Sequence, residues 1–159
     1  NGSEATLLGI ELEYVRQLGN LPAPWDGLLI AANYTFTDSE ATLPGRDTKV
    51  TLPGQSDHIG NVALGFDNGR LSMRLAVAYR SEFFEEVNDV EDPAFDRYQD
   101  NHVQVDFTSK FWVTDVVQVY FNAININDEP LYAYFDQTRF NSQYEEYGAT
   151  YEAGFTLQF

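Results

Sequence analysis

The feature that most constrains this chain is an alternation of apolar and polar residues with a period of two, repeated along its length with almost no helical periodicity. Leu8, Ile10, Leu12 and Tyr14 alternate with Gly9, Glu11 and Glu13, and Leu28, Ile30, Ala32, Tyr34 and Phe36 with Ala31, Asn33, Thr35 and Thr37. Val62, Leu64 and Phe66 stand against Asn61, Ala63 and Gly65. Leu71, Met73, Leu75, Val77 and Tyr79 stand against Ser72, Arg74, Ala76, Ala78 and Arg80. Val103, Val105, Phe107, Phe111 and Val113 oppose Gln104, Asp106, Thr108, Lys110 and Trp112, and Val117, Val119 and Phe121 oppose Gln118, Tyr120 and Asn122. A last run sets Tyr151, Ala153, Phe155, Leu157 and Phe159 against Glu152, Gly154, Thr156 and Gln158. Successive side chains of a strand point to opposite faces, so each run predicts a strand with one apolar and one polar side.

The connections between runs separate two ways of using such strands. Asp67-Asn68-Gly69-Arg70 suits a tight hairpin, Thr114-Asp115 marks another, and Gly19 to Gly27 is a third short link. The other links, near 38–57, 82–101 and 128–148, are long and polar. Long loops at one end and short turns at the other are a property of outer-membrane barrels, and runs of about 9 to 11 residues are long enough to span when tilted. Aromatic residues fall toward both ends: Trp25, Phe66, Phe111, Trp112 and Phe159 on the short-turn side, and Tyr34, Phe36, Tyr79, Phe83, Phe84 and Tyr151 on the other. Two such belts suit two membrane interfaces.

The fold class expected is therefore all-β, a transmembrane antiparallel up-and-down barrel represented by about seven of its strands. Leu71, Met73, Leu75, Val77, Val103, Val105, Phe107 and Phe155 would face lipid. After Ala123 the apolar parity moves to Ile124 and Ile126, which reads as a bulge or the end of the embedded part. A soluble lipocalin-like barrel would place the same apolar residues inside, and a passive porin would share the lipid-facing arrangement.

Composition excludes other classes. The 159 residues include 12 Phe and 10 Tyr but no apolar run long enough for a membrane helix. Richness in aromatics argues against disorder, and a net charge of -16 argues against nucleic acid as a partner. No cysteine is present, so disulfides and thiolate metal sites are excluded. The start at Asn1-Gly2-Ser3-Glu4 has neither an initiator Met nor a signal segment, and reads as a mature, trimmed or fragmentary chain.

Several stretches also carry a family resemblance. Val117-Gln118-Val119-Tyr120-Phe121-Asn122, Asn125-Ile126-Asn127-Asp128-Glu129-Pro130-Leu131-Tyr132 and Tyr151 to Phe159 resemble the C-terminal end of TonB-dependent outer-membrane receptors. Upstream, Gly9-Ile10-Glu11-Leu12-Glu13, Asn33-Tyr34-Thr35-Phe36-Thr37-Asp38-Ser39 and Leu52-Pro53-Gly54-Gln55-Ser56 resemble strand motifs of the same family. The resemblance implies import of a scarce ligand, such as a siderophore or oligosaccharide, through a barrel of about 22 strands with an N-terminal plug. It implies residence in the bacterial outer membrane and contact with its lipid. It also implies partnership with the TonB complex through a missing N-terminal part. On that reading residues 1–159 are the C-terminal part of the barrel domain, completed by the absent strands and plug.

The last run is also similar to an outer-membrane assembly signal, with Glu152, Gly154, Leu157 and Phe159 at the matching positions, which implies recognition by the barrel assembly machinery. No catalytic constellation is found: the chain lacks a nucleophile elbow, a phosphate-binding loop and metal-ligand spacing. His58 and His102 read as turn or interface residues. The acidic stretch from Glu82 to Asp100 reads as a solvated external loop, its spacing unlike a calcium-binding hand, and no cofactor is expected. Tyr132, Tyr134, Phe140 and Tyr144 crowd the final long loop, either to stack on a ligand or to pack the loop on itself.

Overall fold

The computed structural model describes residues 4–159; the opening Asn1-Gly2-Ser3, with its expected trimmed start, lies outside the described residues. The strands are β1 (Glu4–Gln17), β2 (Leu28–Thr42), β3 (His58–Asp67), β4 (Leu71–Arg80), β5 (Phe83–Glu86), β6 (Arg97–Gln99), β7 (His102–Trp112), β8 (Val117–Ile124), β9 (Leu131–Phe135), β10 (Asn141–Glu145) and β11 (Thr150–Leu157). Among the described residues the helical pieces are two short 3-10 turns, Trp25–Gly27 and Pro93–Phe95. A seven-stranded antiparallel sheet runs in the order β1-β2-β3-β4-β7-β8-β11, and a four-stranded sheet in the order β10-β9-β6-β5.

The seven alternating runs are the seven strands of the larger sheet, each beside its successor once the short strands are set aside. Its register joins the separate alternations into continuous rungs. One rung reads Tyr14, Ala32, Val62, Val77, Val105. The next reads Ile30, Leu64, Leu75, Phe107, Ala123, Tyr151, and another Leu71, Phe111, Val119, Phe155. On the reverse side, Glu13, Asn33, Asn61, Ala78 and Gln104 form one rung, and Gly65, Arg74, Thr108, Asn122 and Glu152 another. One face of the wall is thus largely apolar, with Arg16 entering it beside Ile30 and Ser109 between Met73 and Phe121, and the other carries most of the charge. Among the described residues nothing covers the apolar face: Leu12 is 62% exposed and Phe155 68%.

The sheet does not close. Among the described residues β1 pairs only with β2, and β11 only with β8, so each presents a free edge. The architecture is that of a partial up-and-down barrel. The short connections 18–27, 68–70 and 113–116 lie at one end of the wall, and 43–57, 81–101 and 125–149 at the other. At the tight turn after β3, Asn68 accepts from the amides of Arg70 and Leu71, while Gly69 takes φ 82°, a conformation that glycine adopts without steric cost.

The long connections differ from the solvated loops that their polarity predicts. Residues 81–101 supply β5 and β6, and 125–149 supply β9 and β10, which together form the smaller sheet. Phe84, expected in an interface belt, is instead 2% exposed inside this cap, with Ala133 and Tyr134 also buried. The third connection is fastened to the cap by Arg46, whose guanidinium donates to both Asp96 carboxylate oxygens at 2.6 and 2.9 Å. It also donates to the carbonyls of Asp89 and Val90. The Arg46 and Asp96 side chains are 3% and 4% exposed, so this pair is withdrawn from water and held by its full set of partners.

Removing one member of a buried pair leaves the other charge uncompensated, at a cost of about 3–5 kcal/mol. Asp96→Ala should therefore loosen residues 43–57 and 87–96 together. Hydrogen exchange on the full receptor checks this, and protection lost in only one of the two segments would contradict it.

Candidate functional site

Two regions stand out beyond the wall itself: the cap at the long-loop end and the terminal strand. In the cap, cross-strand pairing lines up rings on one face. Phe84 opposes Tyr98, Tyr98 opposes Tyr134, and Tyr132 opposes Tyr144. Centroids are 5.5 Å apart for Phe84 and Tyr98, 5.7 Å for Tyr98 and Tyr134, 6.2 Å for Tyr134 and Tyr132, and 6.3 Å for Tyr132 and Tyr144. The row runs from a buried end at Phe84 to an exposed end at Tyr144.

Of the aromatics singled out in the sequence, Tyr134 sits inside this row. Its hydroxyl donates to Glu82 at 2.7 Å. Burial raises the Tyr134 phenol above its ordinary range and the bond to Glu82 adds to the effect, so it remains a donor at neutral pH. Tyr132 is half-buried and donates to the Thr138 carbonyl. Tyr144 is exposed, and its hydroxyl donates to Glu146 at 2.6 Å. Phe140 lies outside the row at the turn, where Arg139 covers its ring at 4.8 Å.

The back of the small sheet is held by Arg97. Its guanidinium lies 3.2 Å from Glu85 and 3.5 Å from Glu86, and also donates to Gln143 across the sheet. Arg46, Asp96, Arg97 and Tyr98 carried no motif that marked them in the sequence. The available hint was compositional: isolated arginines in an acidic stretch need partners. Among the described residues no group of three or more His, Asp or Glu side chains converges as a metal site.

The end of β8 shows why an Asn-rich segment follows it. The strand stops at Ile124, and Asn125 turns the chain at φ 56°. Past the strand's end the Ile126 amide donates to the Val105 carbonyl at 2.9 Å, so the backbone touches β7 once more. Side chains continue the ladder against β7. Asn127 accepts from the Val105 amide at 2.9 Å and donates to the Val103 carbonyl at 2.6 Å, while Glu129 accepts from the Val103 amide. Asp106 accepts from the Asn125 amide at 2.9 Å. His102 opens β7 opposite Arg80, and His58 opens β3 with its Nδ1 2.7 Å from the Tyr34 hydroxyl.

In β11, Glu152 and Gly154 lie on the polar face and Phe155 and Leu157 on the apolar one. Glu152 accepts from Asn122 at 3.0 Å and from the Tyr120 hydroxyl at 3.5 Å. Gly154 faces Tyr120 across the ladder, and a Cβ added there would stand 2.5 Å from its hydroxyl oxygen. The Tyr120 ring thus occupies the space that a side chain at 154 would need. Phe159 follows the strand and is fully exposed. All of the proposed lipid-facing residues, Leu71, Met73, Leu75 and Val77 in β4, Val103, Val105 and Phe107 in β7, and Phe155 in β11, share the apolar face.

An unclosed up-and-down wall with an apolar outside, a polar reverse face and a structured cap at the long-loop end is the anatomy of a large transmembrane β-barrel. Comparison with protein families bears this out: the family described as TonB dependent receptor-like, beta-barrel matches residues 1–126, and the chain belongs to it. No curated protein and no solved structure gave a match. The matched span covers β1 to β8, and the cap strands β9 and β10 and the terminal strand lie beyond it.

The Tyr120 and Gly154 fit yields a test. Gly154→Val should destabilise the barrel by about 1–3 kcal/mol through overpacking, lowering the temperature at which the folded gel band of the full receptor disappears. Tyr120→Ala in the same chain should restore most of that loss, since it removes the ring that collides.

Proposed function

We propose that residues 1–159 are the C-terminal part of the barrel domain of a receptor that imports a scarce ligand, such as a siderophore or oligosaccharide, across the bacterial outer membrane. The observation that carries this reading is the largely apolar face that runs from β1 to β11, opposite a charged face suited to a wet lumen. Leu71, Met73, Leu75, Val77, Val103, Val105, Phe107 and Phe155 contact lipid. Further strands of the same receptor pair with the free edges of β1 and β11, because unpaired amides in hydrocarbon cost several kcal/mol each, roughly.

The earlier strands and an N-terminal plug complete the molecule, and that N-terminal part meets the TonB complex. Glu152, Gly154, Leu157 and Phe159 serve as the signal read by the barrel assembly machinery, β11 being delivered as a free edge for strand addition. Tyr144 and Tyr132, at the exposed end of the aromatic row, stack on the ligand, while the inner rings keep them in place. The chemistry asked of the chain is capture and passage rather than catalysis.

A passive porin shares the wall, and the family match over residues 1–126 is what favours the receptor. Two measurements test the proposal. In the full receptor, Leu75→Arg should cost about 2–4 kcal/mol and shift heat-modifiable gel mobility, whereas Ala76→Arg on the opposite face should cost far less; equal effects would reject the assigned lipid face. Tyr144→Ala should weaken binding of whichever member of a siderophore and oligosaccharide panel the receptor captures by about three- to tenfold, with mobility unchanged.

A further inference from the structure

The apolar wall is not uniform. Over most of its area large side chains meet on successive rungs, as where Leu64, Leu75 and Phe107 adjoin. Toward the long-loop end the rung Leu12, Tyr34, Gly60, Tyr79 and the rung below it, Tyr14, Ala32, Val62, Val77, break this pattern. Gly60 and Ala32 have too little side chain to fill their places, and taller groups stand around them. The result is a groove of about 390 Å³ lined by Leu12, Tyr14, Tyr34, Gly60, Val62 and Tyr79, within the roughly 300–1,000 Å³ range of small-ligand clefts.

Three observations say what fills it. The lining is apolar and continuous with the face that the transmembrane fold turns toward lipid. On β3 and β4 the groove reaches the strand ends nearest the long loops, where Gly60 and Tyr79 stand close to His58 and Arg80, and in this architecture that end faces the external leaflet. At that end the Tyr34 hydroxyl meets His58 Nδ1 at 2.7 Å, with the Phe36 ring beside the imidazole, so the apolar floor ends in a polar pair at the depth of lipid headgroups. We infer that this groove seats one acyl chain of an external-leaflet lipid, with Tyr34 and His58 beneath its headgroup. A chain in this hollow contacts protein on its floor and sides, and is retained longer than lipid lying against the full-height wall.

The inference rests on the lipid-facing assignment made above, and the test separates the two. Gly60 has a backbone that any residue can adopt, and a Cβ built on it meets its nearest neighbours, the Asn33 carbonyl oxygen and the Tyr34 ring, at an ordinary 3.9 Å. Gly60→Leu therefore fills the groove without straining the sheet. Ala153→Leu makes a comparable enlargement on the same face near the far edge and serves as control.

The full receptor would be extracted in mild detergent, supplied with lipid A, the acylated lipid of the outer membrane's external leaflet, and examined by native mass spectrometry, with heat-modifiable mobility recorded alongside. The wild type and Ala153→Leu should each retain one lipid more than Gly60→Leu. Equal counts with an intact heat shift would overturn the groove while leaving the lipid face standing. Absence of a heat shift in the wild type would remove the lipid face itself. A wild-type dimer that Gly60→Leu dissociates would assign the groove to a second copy of the chain and overturn the lipid as occupant.

Discussion

The ladder of backbone hydrogen bonds is the constraint on which everything else in this wall depends. In hydrocarbon an amide has no water as an alternative partner, so a spanning strand must be bonded on both sides. The interior strands β2, β3, β4, β7 and β8 satisfy this within the chain, while β1 and β11 satisfy it on one side. Once the ladder is fixed, the faces follow. A slip of one residue at any interface would turn a whole strand's apolar set toward the lumen and its charges toward lipid, so agreement of the rungs from Tyr14 to Val105 pins the register.

Wall and cap obtain their stability in different ways. The wall has no core of its own within this chain: the residues it buries are small, such as Ala63 and Ala123, and its large side chains are uncovered. It depends on surroundings and on neighbouring strands. The cap behaves more like a small soluble domain, with Phe84, Ala133 and Tyr134 buried and a charged pair enclosed beside them. This division suits a receptor, because the wall can be set by the bilayer while the cap is shaped by its own packing.

The division also explains what could be read from the sequence. Period-two alternation is local, and in strands of eight to fifteen residues it repeats often enough to stand out, as from Leu71 to Arg80. The cap strands are three to five residues long, too short for a period to show, and 81–101 therefore reads as a polar loop although it supplies β5 and β6. The tie between Arg46 and Asp96 joins positions 50 apart, and neither residue carries a local pattern. At the end of β8 the opposite holds: the parity change and the asparagines were visible, but their use as substitutes for strand backbone depends on the partner strand. Tyr132, Tyr134 and Tyr144 were visible as a cluster, and their order along the row emerged only from cross-strand pairing.

The fit of Tyr120 over Gly154 has a consequence for how such chains vary. The two positions belong to different strands, β8 and β11. Because the ring fills the gap that glycine leaves, a bulkier residue at 154 must displace the ring at 120, whose hydroxyl oxygen would otherwise stand 2.5 Å from the added Cβ. Within the family a side chain at the glycine's position should accordingly come with a smaller or displaced residue facing it, whatever ligand the receptor has come to carry.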